Sequence, residues 1–308
     1  TLQGGIMSIL TPSRGAGASP IVAAGLVALL ASWAPEGSRT YTGSTAVIGN
    51  GQVQSYVVLT PSGAPAAVGV NLTEGALERL PVHKNSHSRC FDLNGDAIIA
   101  ASECVGDEER ILQLPDDIVA RAQLPFKWIS VNWNAEGHHP PPPKPGEAPA
   151  PPIYARPHFD FHFFAWDRER IEAMAPGPCG EFVDCGDFER GRKSIPPRYV
   201  PEGHVDLGIV VPRMGNHLLD SRSPELVDPA IPFTRTFIYG AFDGELIFWE
   251  PMITFDFLRR TSDACFEIRQ PAAYRKAGYY PTRYCIRTEG GTKQHTVSLE
   301  GFVYAEAR

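Results

Sequence analysis

The chain has 308 residues, 43% apolar and 20% charged, a globular composition with ample material for a core. A formal net charge of −7 and the absence of any basic run exclude a nucleic-acid role, because phosphate binding needs clustered Lys and Arg. Proline and glycine, 29 of each, interrupt helices and favour short strands joined by turns, so the expected fold is mainly β.

At the N-terminus, Arg14 precedes an apolar stretch, Ile21 to Ala34, with the length of a signal-peptide core. A bilayer span needs about 20 apolar residues, so residues 1–39 read as a cleaved export signal, with Met7 as the candidate start, or as a disordered N-terminal segment, and the mature chain has no predicted span. A buried N-terminal helix is the alternative. From Thr40 the pattern is a meander: Ala46 to Ile48, a Gly49-Asn50-Gly51 turn, Val53 to Leu59, a Pro61-Ser62-Gly63 turn and Ala66 to Val70. Asn71-Leu72-Thr73 is a glycosylation sequon, and Thr73 to Leu80 suits a short helix capped by Thr73.

Asp92-Leu93-Asn94-Gly95-Asp96 followed by Glu103 places oxygens at positions 1, 3, 5 and 12 of a calcium loop of the EF-hand kind. Ala97 stands where that loop requires glycine, and Cys90 and Cys104 bracket the segment. A disulfide-tied loop is therefore the competing reading. A strand is expected over Phe126 to Trp133. His138-His139 reads as a solvated pair, and residues 140–152 form a polyproline surface insertion within one domain spanning 40–308. Asp167 to Met174 suits a short helix.

Asp243-Gly244 joins Thr236–Phe242 to Glu245–Met252 as a type I′ hairpin. An uninterrupted register pairs Phe237 with Glu250 and leaves that carboxylate on an apolar face with Tyr239 and Phe248. Further strands are expected over Cys265 to Arg269, Arg283 to Arg287 and Thr296 to Ala305, with a Gly290-Gly291 turn. The six cysteines fall in sequential pairs, Cys90 with Cys104, Cys179 with Cys185 and Cys265 with Cys285. An even count in an exported chain reads as a disulfide framework.

Pro157-His158-Phe159-Asp160-Phe161-His162-Phe163-Phe164 carries the most chemistry. As a strand it places His158, Asp160 and His162 on one face and three phenylalanines on the other. Residues i and i+2 lie about 6.6 Å apart and i and i+4 about 13 Å, so Asp160 with one histidine is an easier ligand pair than His158 with His162. Remaining ligands must come from elsewhere. The segment Pro212 to Asp220, read as a glycine-turned loop, offers His217 and Asp220, and the hairpin offers Glu250. Imidazoles with a carboxylate suit zinc, iron or manganese. Without a metal the same residues suit acid–base chemistry with Asp160 orienting a histidine, or a polar strand face whose histidines are structural. Gly-x-Ser-x-Gly, His-Glu-x-x-His and nucleotide-loop motifs are absent.

Several ordered blocks, namely GAPAAVGVNLTEGALERLP from Gly63, VNWNAEG from Val131, PHFDFHFF, VPRMGNHLLD, TRTFIYGAFDGELIFWEPMIT, and PAAYRKAGYYPTRYCIRTEG with VSLEGFVY, resemble an uncharacterised domain family. It is typified by a Thermus protein under an extracytoplasmic stress sigma factor of the sigma-E type. The resemblance implies an exported or envelope-associated β-rich domain that self-assembles, and brings no activity or ligand with it. Together these readings give a single-domain sandwich or open barrel with a few short helices, α+β being the fallback. Its candidate metal site comprises His158, Asp160, His162, His217 and Glu250. Metal-assisted hydrolase or lyase chemistry competes with a non-enzymatic envelope or homo-oligomeric assembly role, and no catalytic residue is singled out.

Overall fold

The computed structural model describes residues 33–83, 89–90, 104–105, 108–138, 146, 148, 151–180, 182–289 and 293–308. The candidate calcium loop (Asp92, Asn94, Asp96, Glu103), His139, residues 1–32, most of the polyproline segment and the Gly290-Gly291 turn lie outside them.

The first strands are β1 (Arg39–Ile48), β2 (Gly51–Leu59), β3 (Pro65–Leu72), β4 (Arg89–Cys90), β5 (Cys104–Val105) and β6 (Glu108–Gln113). Next come β7 (Trp128–Asn134), β8 (His158–Phe164), β9 (Pro176–Cys179), β10 (His204–Val211), β11 (Gly215–Asp220) and β12 (Arg235–Phe242). The last are β13 (Glu245–Thr254), β14 (Asp263–Glu267), β15 (Gly278–Tyr280), β16 (Arg283–Glu289), β17 (Gln294–Glu300) and β18 (Val303–Ala305). Among the described residues all but β9, which bridges to Val183, form two large antiparallel sheets, ordered β1-β2-β3-β17-β16-β14 and β10-β11-β12-β13-β8-β7-β6, with small pairs β15-β18 and β4-β5. Five short α-helices, such as Arg168–Glu172 and Phe255–Arg260, and a 3-10 turn at Pro197–Tyr199 sit in the connections among the described residues. None of the described helices is long and apolar enough to cross a membrane.

The two sheets face each other as an open sandwich. Alternation sends Val57, Val68, Val70, Ile286, Val297 and Leu299 of one sheet inward to meet Val131, Phe159, Phe161, Phe163, Tyr239 and Trp249 of the other. Phe237 stacks on Tyr284 across the gap with ring centroids 5.5 Å apart. At one corner the Ser55 hydroxyl donates to the Gln113 carbonyl, and the Gln113 N–H donates to Ser44, tying β6 to the opposite sheet. Strands β8 and β13 occupy the middle of the seven-stranded sheet and every residue of β8 is buried.

Several expectations need correction. The predicted helix over 73–80 is a series of turns, because Gly75 takes φ +85 and the Thr73 hydroxyl accepts from the Gln52 N–H instead of capping. Asn71 is fully buried on β3, which withdraws the sequon from solvent. The segment around His217 is strand β11, entered through a tight turn with Arg213 at φ +58, and not a loop. The last predicted strand divides into β17 and β18 at Gly301, whose φ is +65.

The Asp243-Gly244 turn forms with positive φ at both residues, but the hairpin register changes above it. Phe242 pairs with Glu245 and Ala241 with Leu246. Then a bulge at Ile247 puts Gly240 opposite Phe248 and Ile238 opposite Glu250. Relative to Phe237 and Tyr239, the extra residue turns Glu250 to the other face. Glu250 thus leaves the sandwich interior for the sheet's outer side.

Cys179–Cys185 and Cys265–Cys285 form disulfides, and the β4–β5 register sets Cys90 opposite Cys104. The Cys265–Cys285 bond staples adjacent strands β14 and β16 across a separation of 20 residues. Replacing both cysteines by alanine is expected to lower the unfolding free energy by about 3 kcal/mol in urea titrations under oxidising conditions. An unchanged midpoint would show that the staple does not restrain the unfolded chain.

Candidate metal centre

A sheet strand covered on both sides ordinarily has apolar side chains on both faces. The outer face of the seven-stranded sheet departs from this. Registers set Ser130, Asn132 and Asn134 of β7 beside His162, Asp160 and His158 of β8, then Met252 and Thr254 of β13 beside Asp160 and His158. Glu250 shares this face, and His217, opposite Gly240, completes it from β11. Around this polar band pack Trp128, Phe164, Trp166, Ile238, Phe248 and Met252, with Phe233 closing over it from the chain between β11 and β12. The band is as buried as the core behind it.

The five residues expected at one site divide between two clusters with the same plan, a carboxylate approached by one imidazole at each oxygen. In the first, Glu250 Oε1 lies 3.5 Å from His162 Nε2 and Glu250 Oε2 lies 3.9 Å from His217 Nε2. In the second, Asp160 Oδ1 lies 3.3 Å from His158 Nε2 and Asp160 Oδ2 lies 3.2 Å from His138 Nε2. Within each cluster one ligand atom per residue lies within 4.8 Å of the others, so either could hold a metal ion. Tetrahedral coordination at bond lengths near 2.1 Å requires ligand atoms about 3.4 Å apart, close to these separations.

The histidine tautomers sharpen the picture. His217 Nδ1 lies 3.1 Å from the Ile209 carbonyl and His158 Nδ1 lies 2.6 Å from the Arg156 carbonyl. A carbonyl only accepts, so each Nδ1 carries a hydrogen and, in the neutral ring, Nε2 presents its lone pair to the carboxylate. Burial pulls the pKa of His217 down to about 4, against the hydrogen bond to Ile209 that raises it. Burial, reinforced by the nearby Asp160 charge, pushes Glu250 well above the usual carboxylate range. Asp160 is different. Burial would raise it too, but His158 and His138, by charge and hydrogen bonding, hold it well below that range. Asn134 also donates to Asp160 Oδ2 at 2.7 Å, fixing the carboxylate plane.

His138, expected in solvent, is half-exposed and stands over His158, ring centroids 4.6 Å apart. Spacing on a strand could not reveal it, since His138 arrives from the turn after β7. The one signal was its place just beyond the VNWNAEG block. Asp220 joins neither cluster; it accepts from the Arg269 guanidinium at the end of β11. A third grouping, Cys265, Cys285 and Glu300, is committed otherwise, its sulfurs in a disulfide and its carboxylate paired with Arg287.

Gly240 makes room for the triad. A Cβ there would lie 2.0 Å from the Phe248 ring, which packs edge-on to both His162 and His217 at 4.9 and 5.1 Å. No family model matches this chain, and neither a curated protein nor a solved structure matches it.

Two substitutions follow from this geometry. Gly240→Ala is expected to destabilise by about 1–3 kcal/mol through displacement of Phe248, read by thermal and urea unfolding; a change below measurement error would show that the ring has room to move. Glu250→Gln tests the buried carboxylate. Because the folded state raises the Glu250 pKa above 4.5, metal-free wild type loses stability as pH rises from there, whereas glutamine does not titrate. Metal-free Glu250→Gln should therefore match wild type near pH 4 and exceed it increasingly toward pH 8. A variant less stable at every pH would contradict the assignment.

Proposed function

We propose that this chain is a divalent-metal-binding protein in which His162, His217 and Glu250 hold zinc, iron or manganese, and that the ion serves metal-assisted hydrolase or lyase chemistry. The observation that carries the reading is the committed Nδ1 of His217. With that hydrogen on Ile209, the Nε2 lone pair faces a carboxylate oxygen 3.9 Å away in a buried layer. When Glu250 is ionised, two electron-rich atoms so placed repel, and its buried Oε2, which accepts no hydrogen bond, leaves a polar group unsatisfied at a cost of about 1–3 kcal/mol. A cation between them reverses the sign. Two imidazoles and one carboxylate form a borderline donor set of the kind that zinc, iron and manganese accept.

Once bound, such an ion would polarise a substrate oxygen or lower the pKa of a bound water. The chain supplies the rest. The Ile209 carbonyl holds the His217 ring in register, Glu250 offsets one positive charge of the ion, and Phe248 walls the imidazoles from water. Complete burial of Glu250 and His162 supports a second reading, a structural ion in a non-enzymatic envelope or self-assembling protein.

Metal analysis of untagged protein by mass spectrometry tests the proposal, with wild type beside His162→Ala and His217→Ala. Wild type should carry an ion bound by the triad that both variants lose. At a metal excess of a thousandfold over Kd, wild type should gain about 4 kcal/mol of stability that the variants lack. Equal, substoichiometric metal in all three would refute the proposal. A metal-dependent rise in Tm without hydrolysis or elimination on a panel of esters, lactones and hydroxy acids would favour the structural reading.

A further inference from the structure

We propose that His138, His158 and Asp160 form a second divalent-cation site, separate from the buried triad and exchangeable with solvent, which takes a hydrated transition ion. The proposal goes beyond the triad's reading and does not depend on it, since the clusters share no ligand.

The donor atoms are already arranged for a cation. His158 is fully buried with its Nδ1 hydrogen on the Arg156 carbonyl, so its other nitrogen is the one that meets Asp160. His158 Nε2 and Asp160 Oδ1 face each other at 3.3 Å, and no other group partners either atom. A proton satisfies two atoms along one line. A metal ion satisfies three from a point between them, and this cluster brings three donors together. Asn134 holds the second carboxylate oxygen on the side from which His138 approaches, the outer-sphere support that ligating carboxylates commonly have.

The third donor is delivered by a constrained turn. Gly137 takes φ +72, and a Cβ there would stand 2.4 Å from both the Arg156 nitrogen and the Tyr154 carbonyl. The His138 N–H donates to that same Tyr154 carbonyl at 3.0 Å. Only glycine allows the chain to pass so close, and the passage lays the imidazole over His158. With 47% of its side chain exposed, His138 gives this cluster the contact with water that the triad lacks. An ion held here keeps coordination positions for water on the solvent side, whereas one in the triad is enclosed.

The experiment uses the full chain, stripped with chelator and reloaded with Zn2+ or Co2+. Bound metal per chain and release into EDTA are followed in wild type, His138→Ala, Asp160→Asn and His217→Ala. Far-UV circular dichroism and metal-free Tm establish that each variant folds. Wild type should hold two ions per chain, one released at least tenfold faster; His138→Ala and Asp160→Asn should lose the fast ion and keep the slow one. Wild-type stoichiometry and release kinetics in folded His138→Ala would overturn the second site. A single ion lost in His217→Ala but kept in His138→Ala would also overturn it while leaving the triad's reading intact. A single ion lost in His138→Ala and kept in His217→Ala would uphold the second site and refute the triad. No ion in wild type would refute both.

Discussion

Two carboxylates, Asp160 and Glu250, are buried on adjacent central strands of one sheet, and each must be stabilised where water cannot reach it. An isolated carboxylate in such a place carries a desolvation penalty of several kcal/mol, which protonation, ion pairing or a metal must offset. The structure gives each a pair of imidazoles. Much of the surrounding architecture can be read from that need, including the amide of Asn134 on Asp160, the backbone carbonyls that fix His158 and His217, and the aromatic cover of Phe248 and Phe233.

The sandwich makes such a layer possible by separating two tasks between the faces of one sheet. Phe159, Phe161 and Phe163 anchor β8 to the hydrophobic interior, so the strand is held in place without help from its polar face. That face is then available for chemistry. The bulge at Ile247 performs the decisive local step, because it turns Glu250 out of phase with Phe237 and Tyr239 and toward His162. Gly240 and Gly137 act in the same way at short range, each leaving out a Cβ where a ring or a backbone must pass.

How much of this was legible depends on how local the cause is. Period-two alternation made β8 and its histidine face readable, the glycine-bearing turns delimited β1, β2 and β3, and Asp243-Gly244 marked its hairpin. The spacing argument against one ion shared by His158 and His162 agrees with their separation into two clusters. The bulge left no mark that periodicity detects, so the predicted partner of Glu250 was displaced by one residue. The contact of His138 with Asp160 depends on a turn packing against Tyr154 and Arg156, which strand spacing does not show. The helix expected over 73–80 failed because Gly75 and the Thr73–Gln52 contact favoured turns.

The two clusters share a plan and differ in access. One is enclosed; the other meets solvent through His138. That difference separates holding an ion from exchanging one, and it gives the outer face of a central strand both a stable interior and a path to water. The central claim, that this face binds metal through imidazole, is tested most directly by X-ray absorption spectroscopy at the edge of whatever metal the purified protein carries. The expected result is an imidazole scattering shell at about 2.0–2.1 Å with more than one ring per ion. A first shell made only of water or carboxylate oxygens, or no bound metal at all, would contradict it.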